Sequence, residues 1–185
     1  MWNALAKWAW VETERLILRP FRYTDAQDLY AILSDPDNTR FIHPSLDSFE
    51  LCQTLLVEAF LRQPLGIWAL EDKVSGRMIG SIRLEQIQVR TGQAEIGYFL
   101  HRDFWRQGFG KEALRQLVFL SFSQFPLRRL IVKTHDENRA SQALAESVGF
   151  SFYRQYKGSD RYSHRMRTFK DYRYDRKDYQ LKETK

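Results

Sequence analysis

Apolar positions along this chain repeat with two periods, every second residue or every third to fourth, and each period predicts a different kind of element. Within Glu14–Phe21, Leu16 and Leu18 alternate with Arg15, Ile17 and Arg19 until Pro20 closes the run, the pattern of an edge strand. Thr24 and Gln27 are spaced as a capping box ahead of Leu29, Ile32 and Leu33, so a helix follows, and Asp35-Pro36 stops it. Asp47, with Glu50 three residues on, is placed to cap a second helix whose buried stripe is Leu51, Leu55, Leu56, Ala59 and Phe60, ending before Pro64. Ile67–Leu70, Met78–Val89 and Ala94–Leu100 then read as three strands joined at Val74-Ser75-Gly76 and Thr91-Gly92, an antiparallel meander.

Gly108-Phe109-Gly110 opens a long helix in which Leu114, Leu117, Val118, Phe122 and Phe125 recur at helical spacing. Leu130-Ile131-Val132 reads as a short buried strand, Asn138–Val148 as a helix, and Phe150–Tyr156 and Tyr172–Leu181 as closing strands. An α/β (α+β) class follows, with a mixed sheet and helices on both faces. No repeat and no Pro/Ser/Gly-rich linker divides the chain, so residues 13–185 are expected to form one domain behind an aromatic extension, residues 1–12. Trp2, Trp8 and Trp10 in that extension are too many to leave in water, and should pack on the domain or on a second subunit.

Composition narrows the class. The 185 residues are 43% hydrophobic and 28% charged, which excludes wholesale disorder. A chain of this length buries roughly 70% of its unfolded surface without help from disulfides or structural metal. Cys52 is the single cysteine, and no Cys/His cluster has zinc-ligand spacing, so no metal and a reducing cytoplasm are expected. No apolar run approaches the roughly 20 residues of a membrane span, and Met1–Trp10 lacks the basic start and cleavage site of a signal peptide.

The net charge of +6 sits at one end, because residues 153–185 carry 11 Lys/Arg against 5 Asp/Glu while the preceding residues carry 18 of each. A solvated basic face and a polyanion-binding surface are both compatible with that skew.

Two local motifs carry chemistry. Trp105-Arg-Gln107-Gly108-Phe109-Gly110-Lys111 follows a strand and starts a helix, so its backbone N–H groups gather at the positive end of a helix dipole, where a pyrophosphate is well received. It is neither G-x-x-x-x-G-K-[ST] nor G-x-G-x-x-G, and glycines at such a turn also serve as plain punctuation. The second motif is Asn138-Arg-Ala-Ser141-Gln-Ala-Leu-Ala145-Glu-Ser-Val-Gly149-Phe150. At about 100° per residue, Asn138, Ser141 and Ala145 fall within roughly 60° of one another, which places a cap, a hydroxyl and a small residue on one helix face.

Standing about 30 residues apart, these motifs resemble the cofactor motifs of the GNAT superfamily of N-acetyltransferases. Thr13-Glu-Arg-Leu-Ile-Leu-Arg-Pro-Phe21 resembles the opening of its RimJ/RimL branch, which acetylates protein N-termini, and Ala94-Glu95-Ile96-Gly97-Tyr98 adds to the match. The similarity runs from about Thr13 to Leu181. It implies a mostly antiparallel, splayed central sheet of six or seven strands and acetyl-CoA as co-substrate, with no metal. The acceptor would be a primary amine, by resemblance a peptide or protein N-terminus.

Carried onto this chain, the resemblance puts the acetyl-CoA pyrophosphate on the backbone of Gln107, Gly108, Phe109, Gly110 and Lys111. The pantetheine arm would lie where the strand ending at Leu100 splays from Leu130–Thr134, approached by Asn138 and Ser141. Acetyl passes directly to the amine in a ternary complex, so no nucleophilic side chain is needed. Glu95 would take the amine proton, directly or through water, and a backbone N–H near Phe99 or Leu100 would meet the oxyanion. Ala145 occupies the place of the tyrosine that many members use as proton donor, leaving Ser141 as its replacement. Phe41 and His43, beside Pro44, fall in the loop expected to line the acceptor pocket.

Two alternatives stay open. The acceptor could be a small amine such as an aminoglycoside, a polyamine or an amino acid. A GNAT-type fold without turnover could instead use the Tyr153–Lys185 segment on RNA or ribosomes, where Lys170-Asp-Tyr-Arg-Tyr174 interleaves cations and aromatics; nucleic acid is nevertheless not the expected partner. A homodimer is compatible with the sequence, and no membrane partner is expected.

Overall fold

A computed structural model describes residues 1–160 and 162–183. The elements run in order α1 (Trp2–Lys7), β1 (Val11–Glu12), β2 (Leu16–Arg19), α2 (Ala26–Leu33), α3 (Pro36–Thr39), α4 (Phe49–Leu56), β3 (Ile67–Asp72), β4 (Met78–Gln88), β5 (Gln93–Leu100), α5 (Phe109–Ser123), β6 (Arg129–His135), α6 (Arg139–Val148), β7 (Ser151–Ser159), β8 (Met166–Asp175) and α7 (Arg176–Glu183). The eight strands form one sheet in the order β1-β2-β3-β4-β5-β6-β8-β7, antiparallel at β2/β3, β3/β4, β6/β8 and β7/β8, with β5 and β6 parallel. A parallel step requires a crossover, and the long α5 supplies it. The β5/β6 ladder runs from Gln93↔Arg129 to Ile96↔Val132, although β5 continues to Leu100 and β6 to His135.

Two compact units share the chain, and the division falls within β4, β5 and α5. The first holds residues 2–83 and 98–113. Its core joins Phe21, Leu29, Ile32, Cys52, Leu56, Phe60 and Phe99, with the Phe60 ring 4.4 Å from Phe21 and 6.4 Å edge-on to Phe99. Gly80 lets β4 come close to the end of β5, since a Cβ there would stand 2.3 Å from the Phe99 carbonyl oxygen and 3.1 Å from Leu100 Cα. The second unit holds residues 84–97 and 114–185 together with Met1. There Leu114, Leu117 and Val118 are buried, and Tyr174 receives Phe122, Phe150 and Tyr179 at ring distances of 5.6, 5.4 and 6.2 Å.

Several elements differ from the sequence expectation. Glu14–Phe21 is not an edge strand: β2 pairs on both sides, with Val11↔Leu18 in β1 and Leu16↔Asp72 in β3, so the two-residue β1 takes the edge. Thr24 and Gln27 do not cap α2. Asp25 holds the N-cap position without a side-chain bond into α2; its carboxylate instead accepts from the Arg22 N–H at 2.7 Å across the preceding turn, Tyr23–Asp25, and is fixed by the buried Arg19 guanidinium at 2.8 and 2.9 Å. Ser48, rather than Asp47, caps α4 by accepting from Leu51 N–H at 3.3 Å, and that register turns Leu51 outward, 53% exposed, while Cys52 is buried. Asp35-Pro36 ends α2 but also opens α3, because Asp35 accepts from Asp37 N–H at 2.9 Å and proline suits a first turn.

The closing strand predicted over Tyr172–Leu181 lies six residues earlier. β8 starts at Met166 and ends at Asp175, and α7 follows because a helical turn is what returns Tyr179 onto Phe122 and Tyr174. Arg161, Thr184 and Lys185 of the basic segment lie outside the described residues. The aromatic extension packs on the first unit through Leu5, which is fully buried, through Trp68, whose indole N–H donates to Trp8 O at 3.0 Å, and through Arg22, 5.7 Å over the Trp10 ring, but contrary to expectation Trp2 and Trp10 stay 55% and 48% exposed. Among the described residues no helix is long and apolar enough to cross a membrane.

Candidate active site

In the first unit the turn between β5 and α5 is exposed from Trp105 to Gly108 and then dives into the core at Phe109. Arg106 has φ +59° and Gly108 φ +88°, two left-handed residues within three. For a side-chain-bearing residue such a conformation costs about 1–3 kcal/mol, so something must hold it. Alternation of this kind turns successive N–H groups to one side as an anion-binding concavity, and the first N–H groups of α5 have no intrahelical acceptor. Gln107 is tied back by its side-chain N–H to Asp103 O at 2.5 Å, and Trp105 donates its indole N–H to Leu100 O at 2.8 Å.

That bond and the close approach of Gly80 pin the Phe99–Leu100 segment from two sides. His101 N–H adds a third tie, to Ile79 O at 2.8 Å.

The same turn is fastened to the segment before β2, a connection that alternation of side chains gave no reason to expect. Glu112 in α5 accepts from the Thr13 hydroxyl at 2.6 Å, from Arg15 N–H at 2.8 Å and from Arg15 Nε at 2.7 Å. Arg15 also donates from Nη1 to Gln107 O at 2.8 Å, and its guanidinium lies 4.3 Å over the Phe109 ring. Burial alone would raise the Glu112 pKa, but the Thr13 hydroxyl, the Arg15 N–H and the Arg15 charge together bring it below the ordinary carboxylate value.

A lowered native pKa means that the ionised form stabilises the fold above the unfolded-state value, and that this contribution is lost as pH falls through the native value. Accordingly the melting temperature of the wild type should drop more steeply than that of Glu112→Gln as pH is lowered from about 6 to about 3. Parallel melting curves would show the carboxylate to be without this role.

In the second unit Glu95 lies on β5 opposite Ile131, so Lys133 is its diagonal neighbour on the same face. Lys133 Nζ donates to both Glu95 oxygens at 3.2 Å. Burial lowers the Lys133 pKa, but the Glu95 charge, the hydrogen bond to Glu95 and the charges of Tyr156 and Asp171 together outweigh it, and the net shift is upward. Lys133 stands opposite Asp171 on β8, and Asp171 opposite Arg154 on β7, whose Nε it accepts at 2.7 Å. Glu95, Lys133, Asp171 and Arg154 thus form a row of alternating charge across four strands. Sequence spacing could not reveal the row, because β8 was expected to begin at Tyr172.

Asn138 caps α6, its side-chain oxygen accepting from Ser141 N–H at 3.1 Å, and Gly149 at φ +117° ends the helix. Asn138 and Ser141 are half-exposed, while Ala145 is fully buried. Phe41 and His43 sit in the first unit after α3, where the N–H groups of Ile42 and His43 both reach Thr39 O, at 2.9 and 3.2 Å. Arg40 covers the Phe41 ring at 5.0 Å, and His43 Nδ1 lies 2.6 Å from Pro44 O. Among the described residues no group of three or more His, Cys, Asp or Glu is placed to hold a metal ion.

The model of the acetyltransferase (GNAT) domain matches residues 15–151. Among relatives, the Bacillus subtilis N-acetyltransferase YoaA, itself uncharacterised, is 31% identical over 144 residues, 76% of this chain and 81% of the relative. Bacillus subtilis YdaF, provisionally named a ribosomal N-acetyltransferase, is 31% identical over 75 residues, 40% of this chain and 41% of its own. Among solved structures, a GNAT-family acetyltransferase from Bacillus anthracis superposes with TM-score 0.81 at 18% identity, covering 91% of this chain and 99% of that one. The microcin C7 self-immunity acetyltransferase MccE, in complex with acetyl-CoA and AMP, superposes with TM-score 0.78 at 16% identity, covering 88% and 93%. The chain belongs to the GNAT acetyltransferase family. It is an acetyl-CoA-dependent N-acetyltransferase, and acetyl-CoA is its acyl donor.

Proposed function

We propose that this enzyme acetylates the α-amine of a peptide or protein N-terminus by direct transfer from acetyl-CoA, as a RimJ/RimL-like member of its family with residues 13–185 as the catalytic domain. The observation that carries the branch is the opening Thr13–Phe21, whose Thr13 and Arg15 hold Glu112 of the cofactor helix. Similarity to YdaF supports the same reading.

The amides of Gln107, Gly108, Phe109, Gly110 and Lys111 take the pyrophosphate. Asn138 and Ser141 serve the pantetheine end, and a backbone N–H at Phe99 or Leu100 meets the carbonyl oxygen as charge develops on it. Glu95 accepts the ammonium proton, directly or through water, and the free amine attacks the thioester carbon. The C–S bond breaks as the tetrahedral intermediate collapses. To Ser141 we assign the relay of the nitrogen's remaining proton to the leaving thiolate, which near its own pKa of about 8.5 needs little assistance. Phe41 and His43 bind the acceptor.

Two further readings have something behind them. MccE was solved with acetyl-CoA and AMP, which favours a small-molecule acceptor. An RNA-binding role for the basic segment has less behind it, since Arg154, Lys170 and Arg173 are each engaged by a carboxylate at 2.5–2.7 Å. Acetyl-CoA-dependent thiol release, measured over N-terminal peptides, aminoglycosides, polyamines and amino acids, tests the proposal. Peptides should give the highest kcat/KM, and a small amine that outruns every peptide would replace this reading with the second.

A further inference from the structure

We propose that Arg15, held by Glu112, is a positioning residue for the phosphate-binding turn: it orients the Gln107–Gly108 peptide so that the Gly108 N–H, rather than the Gln107 carbonyl, faces the incoming pyrophosphate. This rests on the reading that the turn holds the acetyl-CoA pyrophosphate.

The argument starts from the peptide plane. In a trans peptide the carbonyl and the following N–H point in opposite directions, and this chain has no cis peptide bond among its described residues. Arg15 Nη1 holds the Gln107 carbonyl at 2.8 Å, so the Gly108 N–H is aimed away from the guanidinium. Without that grip the plane could turn over, because Gly108 at φ +88° has no Cβ to resist the change. A turned plane would set a carbonyl dipole against the phosphate oxygens.

Arg15 is itself immobilised. Its Nε lies 2.7 Å from Glu112 Oε2, its plane covers the Phe109 ring at 4.3 Å, and its Nη2 stands 3.2 Å from where a Cβ on Gly108 would be. Glu112 is fixed in turn by the Thr13 hydroxyl and by Arg15's own N–H. The carboxylate largely cancels the guanidinium's field at any distance beyond the pair, which argues for positioning over a direct cationic contact. It also explains why an arginine is needed: only a rigid fork can hold a carboxylate and a carbonyl at once.

Calorimetric affinities for CoA, 3′-dephospho-CoA and pantetheine, measured on the full chain, test this. Pantetheine lacks the pyrophosphate and dephospho-CoA keeps it. Arg15→Met should weaken CoA and dephospho-CoA by the same factor, about tenfold to a hundredfold, and leave pantetheine unchanged. In turnover, KM for acetyl-CoA should rise with kcat at saturation nearly unaltered. Arg15→Lys, which keeps a cation beside Glu112, should show the same divergence at smaller size and decides the matter if the methionine variant does not fold.

A merely structural role would weaken all three ligands alike and overturn the proposal. So would a loss confined to the 3′-phosphate. If wild type binds CoA no better than pantetheine, the phosphate-turn reading falls and this proposal with it. If wild type prefers CoA, Gly108→Glu abolishes the preference and Arg15→Met keeps it, the turn stands and Arg15 is excluded.

Discussion

Glu95→Gln should lower turnover by about 10²–10⁴, the range expected when a general base is removed, while the protein stays folded. Lys133 grips both Glu95 oxygens at 3.2 Å, and that ion pair must be separated from the chemistry. The lysine side chain is 40% exposed and the glutamate 23%, and pairs of this kind are worth about 0–1 kcal/mol to stability. Loss of the pair therefore cannot account for a rate loss of two orders of magnitude. Lys133→Met completes the comparison, because it breaks the same pair and leaves the carboxylate in place. If Glu95 is the base, Glu95→Gln should cost far more turnover than Lys133→Met. Equal losses in the two variants, with an unchanged acidic limb of the pH–rate profile, would make Glu95 a structural partner only.

Much of the fold was legible because it rests on local signals. The long helix after Gly108 and the capped helix after Asn138 follow from apolar spacing, an N-cap and a C-terminal glycine, and the structure has both. What could not be read depends on partners distant in sequence. β2 looked like an edge strand because Pro20 follows it, yet β1 pairs with its outer side through only two residues, too few to show a period. Ser48 and Asp47 are both good caps, and only the packing of Cys52 and Leu56 against Phe21, Leu29 and Phe60 chooses the register. The end of β8 was misread because Tyr172, Tyr174 and Tyr179 fit a strand and then a helix about equally well in a basic, polar context.

The candidate site divides the same way. The glycine turn was legible as a motif, since Gly108 and Gly110 fall between a strand and a helix start, and the structure puts Gly108 at φ +88°. Arg15 does not, because in the alternation of Leu16 and Leu18 it is simply an outward residue, and its contacts with Gln107 and Glu112 span 92 and 97 positions. Likewise Glu95 was visible as a carboxylate on a strand, but Lys133, 38 positions away, was not visible as its partner.

Gly108→Glu should abolish measurable acetyl-CoA binding, and three effects add toward that result. A side chain at φ +88° is strained by about 1–3 kcal/mol wherever it points. The new Cβ would stand 3.2 Å from Arg15 Nη2, so the guanidinium that holds the turn must shift. The carboxylate then opposes the pyrophosphate: at about 4 Å and an effective dielectric near 20, each pair of like charges costs about 4 kcal/mol, or roughly a thousandfold in affinity. Charge is thus the largest of the three, and companion variants isolate it. Gly108→Ala carries the backbone strain and the Cβ without charge, and should weaken CoA by no more than about a hundredfold by the same conversion. Gly108→Lys carries similar bulk with opposite charge and should bind CoA more tightly than Gly108→Glu. Calorimetric titration of CoA into the three variants checks the order. A glutamate variant that binds CoA as well as the alanine variant does would mean that no phosphate comes near this turn.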